Sequence, residues 1–153
     1  MVTLAVLGIL LVVGVPSFTI VLLNSRTAAL TNDLTSAINL ARAEAVTRAE
    51  PVTVCPSDDA TTCSGSWSDG WIVLVPSLSS PDDVLRRYPA PAEGSSITQT
   101  PTADAALEFG ALGEQLSAPT QLLAQVDGCR GERARRLDVA PGGRVSVSRV
   151  ACT

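Results

Sequence analysis

No charged side chain occurs in the first 23 residues, MVTLAVLGILLVVGVPSFTIVLL, and the first ionised group along the chain is Arg26. Placing a Lys, Arg or Asp at the centre of a bilayer helix costs about 2.5–3.5 kcal/mol, so uncharged stretches of this length are rarely accidental. About 20 apolar residues rising 1.5 Å each span the roughly 30 Å hydrocarbon layer. Residues 1–23 are therefore read as a transmembrane helix half, and residues 24–153 as a domain that folds outside the membrane. Gly8, Gly14 and Pro16 interrupt the segment. Pro16 removes one helical N–H and crowds the carbonyl four residues back, a defect that lipid tolerates only where neighbours re-satisfy the backbone. Gly14 and Pro16 are thus expected to form a soft point, of use to a helix that leaves the bilayer and packs into a fibre. A secretory signal peptide is the competing reading. It fits poorly: there is no basic leading region, the apolar run exceeds the usual length, and no small-x-small site follows promptly.

The residues resemble a known family at this point. MVTLAVLGILLVVGVPSF, LTSAINLARAEAV, PVTVCP, a Cys-containing loop and SWSDGWIVLV follow one another as in the FimT/FimU-type minor pilins, which belong with the GspH-like pseudopilins. The resemblance is strongest over residues 1–75, looser from 80 to 130, and returns in the Arg-rich C-terminal region ending in Cys152. It implies an α+β pilin-like fold, a non-catalytic assembly role, and partners that are other major and minor pilins met through the N-terminal helix. It also implies residence in the inner membrane with a periplasmic domain before assembly, and in an extracellular pilus or periplasmic pseudopilus afterwards. One departure is visible. The family's prepilin start is a short basic leader, a Gly and a segment like FTLIE, and Met1 falls just after that segment. The expected cause is a start codon placed too late, or a trimmed sequence.

The chain has 153 residues and a formal net charge of −4, from 11 basic and 15 acidic groups. That leaves room for one long helix and one domain of about 100 residues, and argues against a generally basic nucleic-acid binder. There is no His and no Lys, so every basic group is Arg.

Cysteines stand at positions 55, 63, 129 and 152. Four cysteines allow three connectivities, and sequence proximity favours Cys55–Cys63 and Cys129–Cys152. Closing loops of about nine and 24 residues would stabilise by roughly 2.5 and 3.5 kcal/mol in the chain-entropy treatment. A metal site is the rival reading. It is disfavoured because neither spacing is that of a ligand pair and no His is available.

Asn24 to Glu50 contains no Pro or Gly. Leu30, Leu34, Ala37, Ile38, Ala41 and Ala45 recur at helical spacing and form one apolar stripe. Asn32, Asp33, Ser36, Asn39 and Arg48 lie mainly off it. Pro51 disfavours helix at Glu50 and ends the element. Residues 24–50 are thus an amphipathic helix half, and residues 51–153 read as β-rich. Strands are expected at Val52–Cys55, Trp71–Val75, Val84–Tyr88, Ser96–Thr100, Ala105–Phe109, Thr120–Val126, Arg135–Ala140 and Arg144–Val150. Pro141-Gly142-Gly143 should join the last two as a hairpin. The fold class is α+β: a long N-terminal helix packed on antiparallel β-sheet.

Catalysis has little to work with. The commonest general base, His, is missing, and the absence of Lys excludes a Ser–Lys dyad or Schiff base. Asp58, Asp59, Asp82 and Asp83 lie in polar loops where solvated surface is the default reading. No enzyme activity, cofactor, metal or small-molecule substrate is expected. Trp67 and Trp71 flank the Ser68-Asp69-Gly70 turn, where a stacking platform is conceivable. Core packing of Trp71, and packing of Trp67 over the disulfide loop, is the expectation. Tyr88, beside Arg86 and Arg87, reads as a strand-edge feature.

Six of the 11 arginines, at 130, 133, 135, 136, 144 and 149, follow residue 129, opposed there by Glu132 and Asp138. The default reading is a charged sheet edge that resists aggregation. The functional alternative is a positive field suited to phosphate or acidic partners. In FimT-like proteins that bind DNA a C-terminal Gly-Arg-x-Arg motif is implicated, and Gly143-Arg144-Val145-Ser146 matches it in part. Alternation along a strand puts Arg144, Ser146 and Ser148 on one face and Val145 and Val147 on the other, core-side, face. Arg149 has core-side parity. DNA binding, if present, would centre on Arg144, helped by Arg136, Arg133 and Arg149. Three functions remain open at this level: a minor pilin that helps assemble or initiate a type IV pilus, a GspH-like pseudopilin of type II secretion, and a DNA-binding module displayed on a pilus.

Overall fold

The computed structural model describes residues 2–76 and 83–153, with side chains in the first helix from residue 19 onward. Helix α1 runs from Val2 to Arg48 without interruption. The soft point proposed at Gly14 and Pro16 lies outside the residues whose side chains are described. Among those that are, no helix is long and apolar enough to cross a membrane, and the uncharged segment lies outside them through residue 18.

The globular half of α1 buries the stripe that its spacing foretells. Leu30 and Ile38 are at most 5% exposed, and Leu34, Ala37, Ala41 and Ala45 are fully covered. Thr27 and Thr31 extend the stripe and are buried as well. Their hydroxyls donate to carbonyls one turn back, Thr27 to Leu23 O at 3.1 Å and Thr31 to Thr27 O at 2.7 Å. Such back-bonding lets a short polar side chain enter a helix interface without an orphaned donor. Ala49, at φ 54°, takes the left-handed position that ends many helices, and Pro51 prevents resumption.

The remaining chain forms, among the described residues, eight strands in two antiparallel sheets. They are β1 (Val52–Pro56), β2 (Gly70–Leu74), β3 (Val84–Pro89), β4 (Ser95–Thr100), β5 (Leu107–Phe109), β6 (Thr120–Val126), β7 (Ala134–Val139) and β8 (Val145–Val150). The first sheet has the order β3-β2-β1-β5 and the second the order β4-β6-β7-β8. One core joins the helix stripe to both sheets. Val52, Val54, Trp71, Val73, Leu107 and Phe109 come from the first, and Ile97, Leu122, Ala124, Leu137 and Val139 from the second.

The first sheet is covered on its other face too. Cys55, Ile72 and Val84 make a small second cluster there, which explains why every residue of β1 is buried rather than alternate ones. The Cys55–Cys63 disulfide tethers the following loop at that cluster. Asp59 organises the loop: its carboxylate accepts from the Thr61 and Thr62 amides at 2.7 and 2.8 Å and from the Thr62 hydroxyl at 2.7 Å. These donors hold the carboxyl well below the usual carboxylate range. Trp67 goes deeper than the loop packing expected of it. It is fully buried in the main core and donates from Nε1 to Gln99 Oε1 of β4 at 2.7 Å. Trp71 is 2% exposed and stacks on its cross-strand partner Tyr88 with ring centroids 5.4 Å apart. Buried rings offer no stacking platform to a sugar or base. β3, which carries Arg86, Arg87 and Tyr88, is an edge strand.

Candidate functional site

The second sheet ends in the hairpin β7–β8, where Val139 pairs with Val145 and Ala134 with Val150. The Ala140 amide donates to Arg144 O and the Gly143 amide to Ala140 O. Gly143 has φ 73°, so the connection is a tight turn closed by a left-handed glycine. That glycine is also crowded. A Cβ there would overlap Gly113 O and lie 2.6 Å from Arg42 Nε. Arg42, on α1, donates from Nε to Gly113 O at 3.0 Å and from a terminal nitrogen to Gly142 O at 3.4 Å. The loop before β6 and the hairpin turn are thereby fixed to the end of the helix.

The hairpin separates the arginines nominated from sequence into two groups. Arg144 lies just before β8 and lines an outward cleft of about 360 Å³ with Asp138, Ser146, Thr100 and Pro101. Arg136 shares that outer face but sits opposite Ser148, with the Asp138–Ser146 rung in between. Its Nε is bonded to Asp138 Oδ2 at 3.2 Å. Four strand residues correspond to about 13 Å, so Arg144 and Arg136 address separate points along one face.

Arg149 pairs with Arg135 on the opposite face. Arg133, with Arg130, lines a cleft of about 410 Å³ against Thr19, Ile20 and Leu23 of the helix and Gly128. Arg133 and Arg149 thus stand at the end of the domain from which the apolar helix half departs, away from the hairpin turn. Val147 does not enter the core as its parity suggested, being 46% exposed. The helix packs on β1, β6 and β7 and reaches edge strand β8 only marginally, so core-side parity there does not ensure burial. Val145 does pack against the core.

Arg135 was not singled out from sequence, yet it is the most deeply placed cation of the group, at 8% exposure. It donates to Asn24 Oδ1 of the helix at 3.0 Å and, at 3.5 Å, to Arg133 O. Burial, and then the charge of Arg149, lower its pKa below the ordinary arginine value. Its parity with Leu137 and Val139 was the available signal. Among the described residues no ion pair within 4.0 Å involves Arg130, Arg133, Arg135 or Arg149. The disulfide Cys129–Cys152 joins the two chain segments that carry this group. No group of acidic or Cys side chains able to hold a metal ion occurs among the described residues. Asp82 lies outside them, and Asp59 is spent on its own loop.

Comparison with known proteins places this architecture. The chain matches the family described as type II transport protein GspH over residues 30–143, well over half its length. No curated protein sequence matches it. Among solved structures it is similar to the type IV minor pilin FimU of Pseudomonas aeruginosa PAO1, with a TM-score of 0.63 at 18% identity over 82% of this chain and 87% of that one. It is similar to Escherichia coli GspH, with a TM-score of 0.55 at 19% identity, covering 83% and 90%. The minor pseudopilin EpsH of the Vibrio cholerae type 2 secretion system matches with a TM-score of 0.56 at 12% identity, covering 82% and 96%. These likenesses show the shared fold, an N-terminal helix packed on antiparallel sheets. The family match carries the assignment: the chain belongs to the family described as type II transport protein GspH, structural and non-enzymatic proteins.

Proposed function

We propose that this chain is a minor pilin that takes part in assembling a type IV pilus. The observation that carries the reading is the division of α1. From Thr27 onward the helix buries a stripe in the domain, whereas Ile20, Val21 and Leu22 are 41–61% exposed and the helix continues to Val2 beyond them. Roughly 20 residues ahead of the domain amount to about 30 Å of helix, with no charge to resist lipid or another apolar helix. Before assembly this half spans the inner membrane with the domain in the periplasm; in the fibre it packs laterally against other pilin helices. No step is chemical, so specificity rests on helix packing and on the surfaces that the domain presents. The VTVCP and SWSDGW segments favour the pilus branch over a type II secretion pseudopilus.

The test is a chromosomal deletion with separate assays of the two machines. Sheared surface fibres should be lost or sharply reduced, and should contain the tagged protein when it is restored. A normal fibre yield with a secretion defect assigns the chain to the pseudopilus instead. A DNA-binding role is a second reading, supported by Arg144 and Arg136 sharing the exposed outer face. Two engaged phosphates predict that log K falls with log salt at a slope of about −2. The full chain in detergent, titrated with short duplex DNA at low salt, should lose binding on Arg144→Ala plus Arg136→Ala. Unchanged binding in that variant, or none in the parent, removes the reading.

A further inference from the structure

We propose that Arg130, Arg133, Arg135 and Arg149 form a one-sided basic collar that holds anionic phospholipid head groups where α1 leaves the domain. The proposal rests on the reading that residues 1–23 lie in a membrane before assembly.

Three observations meet at this place. The first is position. Arg130 and Arg133 line one cleft with Thr19, Ile20 and Leu23, next to the exposed apolar side chains Ile20, Val21 and Leu22. Apolar helix surface bordered directly by guanidinium groups is the arrangement that fits a hydrocarbon layer bordered by phosphates. The second is charge without compensation. Arg135 and Arg149 are direct cross-strand partners, and like charges placed so are unfavourable. Arg135 is buried and has only the Asn24 amide oxygen and one long contact to a backbone carbonyl. A phosphate beside Arg149 would offset both the repulsion and the burial. The third is rigidity. Cys129–Cys152 ties the segment bearing Arg130 and Arg133 to the one bearing Arg149, and the Cys152 amide donates to Gly131 O at 2.9 Å.

The acidic groups of this end do not cancel the collar. Glu132 is exposed in the connecting loop. Asp127 and Glu93 line a separate cleft with Arg26. The collar therefore leans the domain to one side, presenting one face of the helix-exit end to the bilayer and leaving the others free for incoming subunits.

The test uses the full chain in lipid nanodiscs of phosphatidylcholine alone, or with about a third phosphatidylglycerol, read by amide hydrogen exchange. Each arginine near an anionic surface strengthens local binding roughly fivefold. Amides of residues 127–134 and 149–152 should therefore exchange about threefold or more slowly in the anionic discs, allowing for partial occupancy. The difference should vanish in about 0.5 M salt, where screening is nearly complete at such distances. It should also vanish in the double variant Arg130→Gln, Arg133→Gln, and persist in Arg144→Gln, which removes a charge from the other end. Equal exchange in both lipids, or equal loss in Arg144→Gln, overturns the collar. Protection in phosphatidylcholine discs by inorganic phosphate alone overturns it in favour of a small-anion site, and protection by short duplex DNA but not by phosphatidylglycerol does so in favour of nucleic acid. Failure of the chain to co-elute with discs of either composition overturns the membrane reading itself, an outcome distinct from co-elution without lipid-dependent protection.

Discussion

Two arginines pin the helix to the second half of the chain, and they do so in opposite ways. Arg42 reaches out from α1 and donates to the carbonyls of Gly113 and Gly142. Arg135 reaches in from β7 and donates to the Asn24 side chain. Neither has a carboxylate within ion-pair distance among the described residues. At the Arg42 end the acceptors are backbone atoms fixed by a crowded glycine turn, so the guanidinium is consumed by the fold. At the Arg135 end the partners are one amide oxygen and, at 3.5 Å, the Arg133 carbonyl, and Arg149 stands opposite. A guanidinium has five donors, and most of those on Arg135 have no strong acceptor within the domain. The same residue type is thus a structural tie at one end and a source of unspent positive charge at the other.

The largest test of this contrast falls on the Arg42 end. Gly143→Ala puts a methyl group into overlap with Gly113 O and an L-residue at φ 73°. The left-handed backbone alone costs about 1–2 kcal/mol. Since the obstacle is backbone, the turn or the loop must move and the Arg42 bonds must lengthen. A total loss of about 3 kcal/mol or more is expected, measured by urea unfolding of the domain. A loss under about 1 kcal/mol would mean that the turn is free to shift, and the Arg42 end would not be rigid. The Gly of the Gly143-Arg144 pair would then need another explanation than packing.

Arg42→Ala should come next, costing about 1.5–3 kcal/mol, the usual range for hydrogen bonds that involve a charged group. The Gly113 and Gly142 carbonyls lose their donor, and exchange of amides in the loop before β6 and in the hairpin turn should accelerate together. Acceleration confined to one of them would show that Arg42 supports a single loop.

The two ends also differ in what the sequence discloses. The helix stripe was legible because burial repeats with the helical period, and Leu30 through Ala45 enter the core as spaced. The strands were legible because Pro, Gly and Asp punctuate them. Hydrogen bonds from Arg42 to backbone carbonyls leave no mark on the acceptor's identity, beyond glycines that could serve other ends. Arg135 was legible in principle from its alternation with Leu137 and Val139, but a charged residue at a core-side position is easily assigned to the edge. Val147 shows the converse failure. Alternation gives the face of a strand, not whether the helix extends far enough to cover it. Trp67 went deeper than expected because its acceptor, Gln99, comes from the other sheet, a pairing that no local pattern encodes. For the arginines, sequence disclosed the cluster and its excess charge. It did not disclose that the hairpin divides Arg144 and Arg136 from Arg133 and Arg149.

The smallest expected effect is the most discriminating. Arg135→Leu removes a buried cation from a face it shares with Leu137 and Val139, and removes the charge opposite Arg149. Replacing buried charged groups by apolar ones of similar volume is often neutral or stabilising, so stability should change by less than about 1 kcal/mol, in either direction. Asn24 is half-buried, and water can take the place of the guanidinium at its amide oxygen. Arg149→Gln alone should stabilise by a few tenths of a kcal/mol, roughly the size of a cross-strand like-charge term, and should give no such gain once Arg135 is Leu. That loss of additivity is the signature of a repulsive pair. If Arg135→Leu instead costs as much as Arg42→Ala, and Arg149→Gln is indifferent to it, Arg135 is a tie of the same kind as Arg42. The contrast between the two ends then fails on stability grounds, whatever the lipid experiments find.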